Sequence, residues 1–207
     1  MKKFAAAFAL AVIAGAASAS TISYQTGTSF ESGLADANAY RTAVSSAVAG
    51  TAVTSISSYD SLDLSSLRNF ALASTITFYV TSPESFDFRA GVDFGGGGAL
   101  FLDGNALNFK STNMWWAGSY SDSSQFLASA APTTLSVGAH TVNLYGIEDC
   151  CSGNSQVQFS LDAGTTYTSF STSDGLPAVP EAQSFAMLLA GLSLVATAAR
   201  RRSNKQA

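Results

Sequence analysis

From Phe70 onward the chain alternates apolar and polar positions with a period of two. Phe70, Leu72, Ile76, Phe78 and Val80 fall on one side, with Ala71, Ala73, Thr75, Thr77 and Tyr79 on the other, the pattern of a half-buried strand. Pro83 interrupts the run. Phe86, Phe88, Ala90, Val92 and Phe94 then fall inward while Asp87, Arg89, Gly91 and Asp93 fall outward. Burying one such Phe or Leu is worth about 1.5–3 kcal/mol, so a slip of one residue, which reverses every side chain, is strongly disfavoured. Upstream, Ile22, Tyr24 and Phe30 predict a first strand over Thr21–Phe30. Asp36–Val48 is the helical candidate: Asp36 can cap it, Tyr40, Val44 and Val48 recur every fourth residue, and Gly50 closes it. Its expected place is across one end of a sheet. Ser57–Arg68 is a polar connection pinned by Leu62, Leu64 and Leu67.

Downstream, Gly95–Gly98 reads as a positive-φ hairpin turn, since no phosphate-loop lysine follows and the next segment is a strand. That strand, Ala99–Asp103, leads through a tight Gly104-Asn105 turn into Leu107–Phe109. Further strands are expected at Thr133–Val137, at His140–Ile147 with His140, Val142 and Leu144 inward, and at Gln156–Asp162 with Val157, Phe159 and Leu161 inward. An Asp162-Ala163-Gly164 turn precedes Thr165–Ser171. Eight or so short strands with one helix predict a mainly β fold, a jelly roll or β-sandwich with one packed helix.

The two ends break this pattern. Met1–Ala19 has Lys2-Lys3, an apolar Phe4–Ile13 and a small-residue Ala17-Ser18-Ala19 site, which reads as a secretory signal peptide. At the other end, residues 182–199 carry no charge and precede Arg200-Arg201-Arg202. As a helix they would rise about 27 Å against a ~30 Å hydrocarbon core, a transmembrane segment with its basic tail, 200–207, on the cytoplasmic side. The expected organisation is therefore 1–19 signal peptide, 20–175 β-sandwich, 176–181 linker, 182–199 membrane helix and 200–207 tail.

Charge sharpens the picture once these ends are set aside. The whole chain has 10 Lys and Arg against 14 Asp and Glu. Only Arg41, Arg68, Arg89 and Lys110 lie in the body, against 13 acids, so four minus thirteen leaves it at −9. Such a surface repels nucleic acid and favours divalent cations or neutral polymers.

Candidate chemistry is sparse. Asp93, Asp103, Glu148 and Asp149 are expected near strand ends, where convergence would suit Ca²⁺; the other reading is solvated turn acids. Trp115 and Trp116 are adjacent, so on a strand they face opposite ways. Unless the segment is a loop, at most one belongs to the core; the pair is read either as core packing or loop-pinning, or as leaving one ring to stack on a sugar or a protein. Cys150 and Cys151 are the only two cysteines. An exported chain meets oxidising conditions, which leaves a vicinal disulfide, pairing between chains, or free or metal-bound thiols. The first is awkward, because adjacent Cα atoms lie about 3.8 Å apart and disulfides span ~4.4–6.8 Å. His140, the one histidine, is expected to pack or to bond backbone. No GxSxG and no histidine set for a metal is present, so the sequence predicts no enzyme.

Val179-Pro180-Glu181, the apolar span and Arg200-Arg201-Arg202 together resemble the PEP-CTERM sorting signal of Gram-negative bacteria, with Ala182 where the family has its second proline. The resemblance implies recognition by an exosortase and delivery to the cell envelope or an exopolysaccharide matrix. Phe88–Gly104, Met114–Tyr120 and Gly138–Gly153, with Cys150-Cys151-Ser152-Gly153, resemble the CCXG family of PEP-CTERM proteins. The same order of segments is similar to PA14-type and fibro-slime β-sandwich modules, which implies carbohydrate binding in surface and matrix proteins. In PA14-type lectins an acidic pair binds Ca²⁺; Asp93 matches one member, and Val92 stands where the other would be. These resemblances point to a structural or adhesive module of biofilm, or to a Ca²⁺-dependent carbohydrate-binding module.

Overall fold

A computed structural model describes residues 19–178. The expected sorting residues Val179, Pro180, Glu181, Arg200, Arg201 and Arg202, the span 182–199 and nearly all of the expected signal peptide lie outside them. No helix of the described residues is long and apolar enough to cross a membrane.

The elements in chain order are β1 (Ser20–Thr28), α1 (Ala37–Ala47), β2 (Thr54–Ile56), β3 (Leu62–Asp63), β4 (Phe70–Val80), β5 (Glu84–Gly91) and β6 (Asp93–Phe94). They continue with β7 (Gly98–Leu102), β8 (Asn105–Lys110), β9 (Met114–Trp115), β10 (Phe126–Ala128), β11 (Thr133–Leu135), β12 (Gly138–Glu148), β13 (Asn154–Ser160) and β14 (Thr168–Ser169). One sheet has the order β2-β1-β4-β12-β7-β8; the other runs β10-β5-β13-β14, with β11 on β5 and β3 on β13. Every named strand pairing is antiparallel. This is a β-sandwich with one helix and no closed barrel.

The alternation in β4 and β5 builds the core between the sheets. Phe70, Leu72, Ile76, Phe78, Val80, Phe86, Phe88, Ala90, Val92 and Phe94 are all buried, as the pattern predicts. Pro83 sits where the chain leaves the first sheet for the second. Phe78 is central: its ring centroid lies 5.3 Å from Phe86, 6.1 Å from Phe88 and 5.6 Å from Phe170.

The helix forms where expected. Asp36 Oδ1 accepts the Ala39 N–H at 2.9 Å, and Tyr40, Val44 and Val48 are buried. Its position differs from the expectation. It lies on the outer face of the first sheet, against Ala71, Ala99, Phe101 and Ile147, rather than across an end. The small side chains of Ala71 and Ala73 on that face leave the room.

Three further expectations are corrected. Phe30 lies beyond β1 and is 79% exposed. Leu161 falls after β13 has ended and is 44% exposed. Residues 95–98 do not close a hairpin: β6 pairs with β9, and β7 with β12 and β8, so the glycines lead from the short β6–β9 ladder into the first sheet. The tight turn after β7 is Asp103-Gly104, at φ 49° and 78°, the primed geometry that suits a hairpin.

Gly97 shows why the crossover needs glycine. Its φ is +88°, and a Cβ there would lie 2.3 Å from Tyr40 Oη and 2.4 Å from the Lys110 carbonyl. Gly97→Ala is expected to destabilise by about 2 kcal/mol, read as an earlier urea midpoint; an unchanged midpoint would contradict this packing.

Candidate functional site

One end of the sandwich gathers most of the chemistry-bearing residues. Ser29 N–H donates to the Asn69 carbonyl, Asn69 N–H to that of Asp149, and Gly33 N–H to that of Gly96. The segments 29–33, 95–97 and 149–153 are thereby tied together where β12 ends.

Three of the four expected carboxylates meet there. Glu148, 1% exposed, accepts the Gly95 N–H on Oε2 and the Cys150 N–H on Oε1. Asp149 Oδ1 accepts the Cys150 N–H at 2.7 Å and lies against Gly95. Asp93, expected outward, is buried instead, with its carboxylate against Gly153. The strand breaks at Val92, so β6 turns Asp93 under the 149–153 loop. Burial pushes the Glu148 carboxyl up to about 7, with the charges of Asp93 and Asp149 adding to the shift against the two N–H bonds. Burial likewise raises Asp93.

Asp103 is elsewhere. It follows β7 at the opposite end of β12, where Oδ2 lies 2.7 Å from His140 Nδ1 and Oδ1 accepts the Thr141 N–H at 2.8 Å. His140 Nε2 lies 2.9 Å from the Ser136 carbonyl. Burial alone would lower the His140 pKa, but the bonds to Asp103 and Ser136 and the Asp103 charge outweigh it and raise it. The four-carboxylate convergence is thus overturned by sheet order. Among the described residues no group of three or more His, Cys, Asp or Glu is placed to hold a metal ion. Ca²⁺ wants six to eight oxygens, and both oxygens of the most buried acid here are committed to backbone N–H groups. The residues do not fit Ca²⁺.

The tryptophans divide as the i, i+1 rule requires. Trp116 is 8% exposed and lies over Gly91, where a Cβ would sit 2.2 Å from its Cε2; its indole N–H is buried without a partner. Trp115 is 67% exposed. It stands directly across the β6–β9 ladder from Asp93, so the two side chains share one face of that pair. Its backbone N–H donates to Gln125 Oε1, which fixes the strand. Exposed Phe30 belongs to the same end of the sandwich.

The outer face of the second sheet carries a second cluster that the sequence reading missed. The Arg89 guanidinium lies 3.6 Å from the Tyr120 ring centroid and 3.7 Å from that of Tyr167, and Nε donates to Gln158 Oε1 at 2.6 Å. Tyr120 Oη donates to Gln156 Oε1 at 3.0 Å, and burial pushes its phenol up to about 12. Strand alternation marks Arg89 as outward, but nothing local marks its two tyrosine partners, 31 and 78 positions further on.

Cys150 and Cys151 stand side by side and are both exposed. Arg68 Nη1 lies 3.9 Å from Cys151 Sγ.

With this geometry in view, the fold is similar to that of PA14 domains. The PA14 sugar-binding domain from an RTX adhesin aligns at a TM-score of 0.52 with 11% identity, covering 73% of this chain and 95% of that one. The PA14 domain of the MpAFP antifreeze protein aligns at 0.51 with 13% identity, covering 73% and 87%. An anti-sigma factor domain-containing protein aligns at 0.50 with 11% identity, covering 81% and 50%. At these identities the likeness concerns the fold alone. No protein-family model and no curated protein matches the chain.

Proposed function

We propose that this chain is a non-enzymatic, exported β-module that holds a neutral carbohydrate polymer of the cell envelope or extracellular matrix. Its C-terminal Pro-Glu, apolar and Arg-rich segments address it to an exosortase and anchor the precursor in the inner membrane. The observation that carries the binding reading is Trp115. It is a large ring two-thirds in water, held on a short ladder opposite the buried Asp93. A flat indole covers the apolar face of a sugar. The body charge of −9 disfavours polyanionic glycans. The PA14-like sandwich supports the reading, since one similar structure is a sugar-binding domain of an adhesin. Both ring nitrogens of His140 are engaged, which leaves no free imidazole for acid–base work.

Glycan-array binding in Ca²⁺ and in chelator tests this reading. The expected result is binding to neutral polysaccharides at equal strength in both. Binding that vanishes in chelator would establish the calcium-dependent alternative in spite of the ill-fitting carboxylates, and no binding in either would leave a purely structural module.

A further inference from the structure

The cysteine pair points outward. Cys150 and Cys151 are the only cysteines in the chain and both are exposed, so within one molecule they can bond only to each other. Their sulfurs are neighbours, which makes the vicinal bond the competing outcome, and the backbone opposes it. The Cys150 N–H is held by Glu148 Oε1 at 2.9 Å and Asp149 Oδ1 at 2.7 Å. Cys151 is in the left-handed region at φ +66°. Adjacent Cα atoms about 3.8 Å apart fall short of the ~4.4–6.8 Å that disulfides span. Closing the ring would distort a turn whose amide anchors a buried carboxylate. Arg68 supplies a cation beside the thiols in a body otherwise dominated by acids, and so eases the approach of a second acidic surface.

We propose that Cys150-Cys151 is the point at which a second copy of this chain is covalently joined, through a disulfide between the copies. The oxidant is a small-molecule or protein disulfide of the exterior compartment. A thiolate of the pair attacks one of its sulfurs, breaks its S–S bond and releases one thiol. A thiolate from the second copy then attacks the mixed disulfide and releases the other thiol. In sum, two protein thiols and one disulfide become one interchain disulfide and two thiols, so hydrogens and electrons balance. The step does not rest on sugar binding.

The test is intact-mass measurement, without reductant, of the full chain in mild detergent after treatment with an excess of oxidised glutathione. The expected product is a dimer that thiol reductant returns to monomer, with its linkage mapped to the Cys150–Cys151 peptide. The double variant Cys150→Ser/Cys151→Ser is expected to stay monomeric with an unchanged circular-dichroism spectrum. A monomer lighter by two hydrogens, a monomer with both thiols still alkylatable, or a monomer carrying glutathione would each overturn the proposal.

Discussion

Phe78→Ala is expected to cost about 3–5 kcal/mol, the range for truncating a fully buried phenylalanine. Phe78 is 0% exposed on β4, and its ring meets Phe86, Phe88 and Phe170 from the opposite side of the sandwich, with His140 5.8 Å away on the neighbouring strand. The cavity would open at the centre of the aromatic core, where close-packed rings relax poorly. Domains are stable by only about 5–15 kcal/mol, so the loss is a large fraction of the total. At about 2–4 °C per kcal/mol for a domain of this size, the thermal midpoint should fall by roughly 6–20 °C. Phe109→Ala, at a position 40% exposed on the edge strand β8, is expected to shift it far less. Equal shifts for the two would mean that the register of β4 is wrong.

Stability is expected to be highest in mildly acidic solution and to fall as pH rises to neutrality. The folded Glu148 carboxyl titrates near 7, above its ordinary 4.5. Between those values the folded state holds a proton that the unfolded chain has lost, so unfolding gains with rising pH. Complete ionisation is worth roughly 3 kcal/mol at about 1.4 kcal/mol per pKa unit. Asp93, also raised by burial, acts in the same sense. His140 adds to it: its raised pKa gives stability that is full below the unfolded value of about 6.5 and is lost as pH passes the folded one. In the other direction, hydrogen bonds from Thr166 and Ser160 lower Asp162 to about 2, so its contribution fades as pH falls below the ordinary carboxylate range. Urea unfolding at intervals from pH 4 to pH 8 would display the slope, and Glu148→Gln should flatten much of it between about pH 5 and 7. A midpoint that instead rises steadily to pH 8 would contradict the buried acid cluster.

The strands were legible because burial follows parity. β4, β5 and the inward residues of β12 and β13 could be read from alternation alone, and the single helix from its cap and fourfold spacing. The errors lie where a strand ends, which parity does not mark: Phe30 and Leu161 continue the pattern by one position too many. The glycine run looks like a hairpin turn in sequence because local turn chemistry carries no information about which sheet receives the next strand. That same gap misplaced Asp103, whose neighbour His140 is set by the pairing of β7 with β12, a contact between segments distant in sequence. At the site, the opposite fates of Trp115 and Trp116 followed from adjacency alone. The burial of Asp93 did not, because it depends on a break at Val92 and on cover from the 149–153 loop. Arg89, Tyr120 and Tyr167 come together only through the tertiary fold.

An exposed Trp115 indole that serves as a sugar platform has a measurable signature in a paired titration. Wild type and Trp115→Ala would each be titrated with the neutral glycan that binds best on the array, their unfolding midpoints having first been matched. Covering one indole face buries about 60 Å² of apolar surface, worth about 1.5 kcal/mol or roughly a tenfold change in affinity. The account predicts at least that loss in the variant with stability unchanged; equal affinities for the two proteins would contradict it.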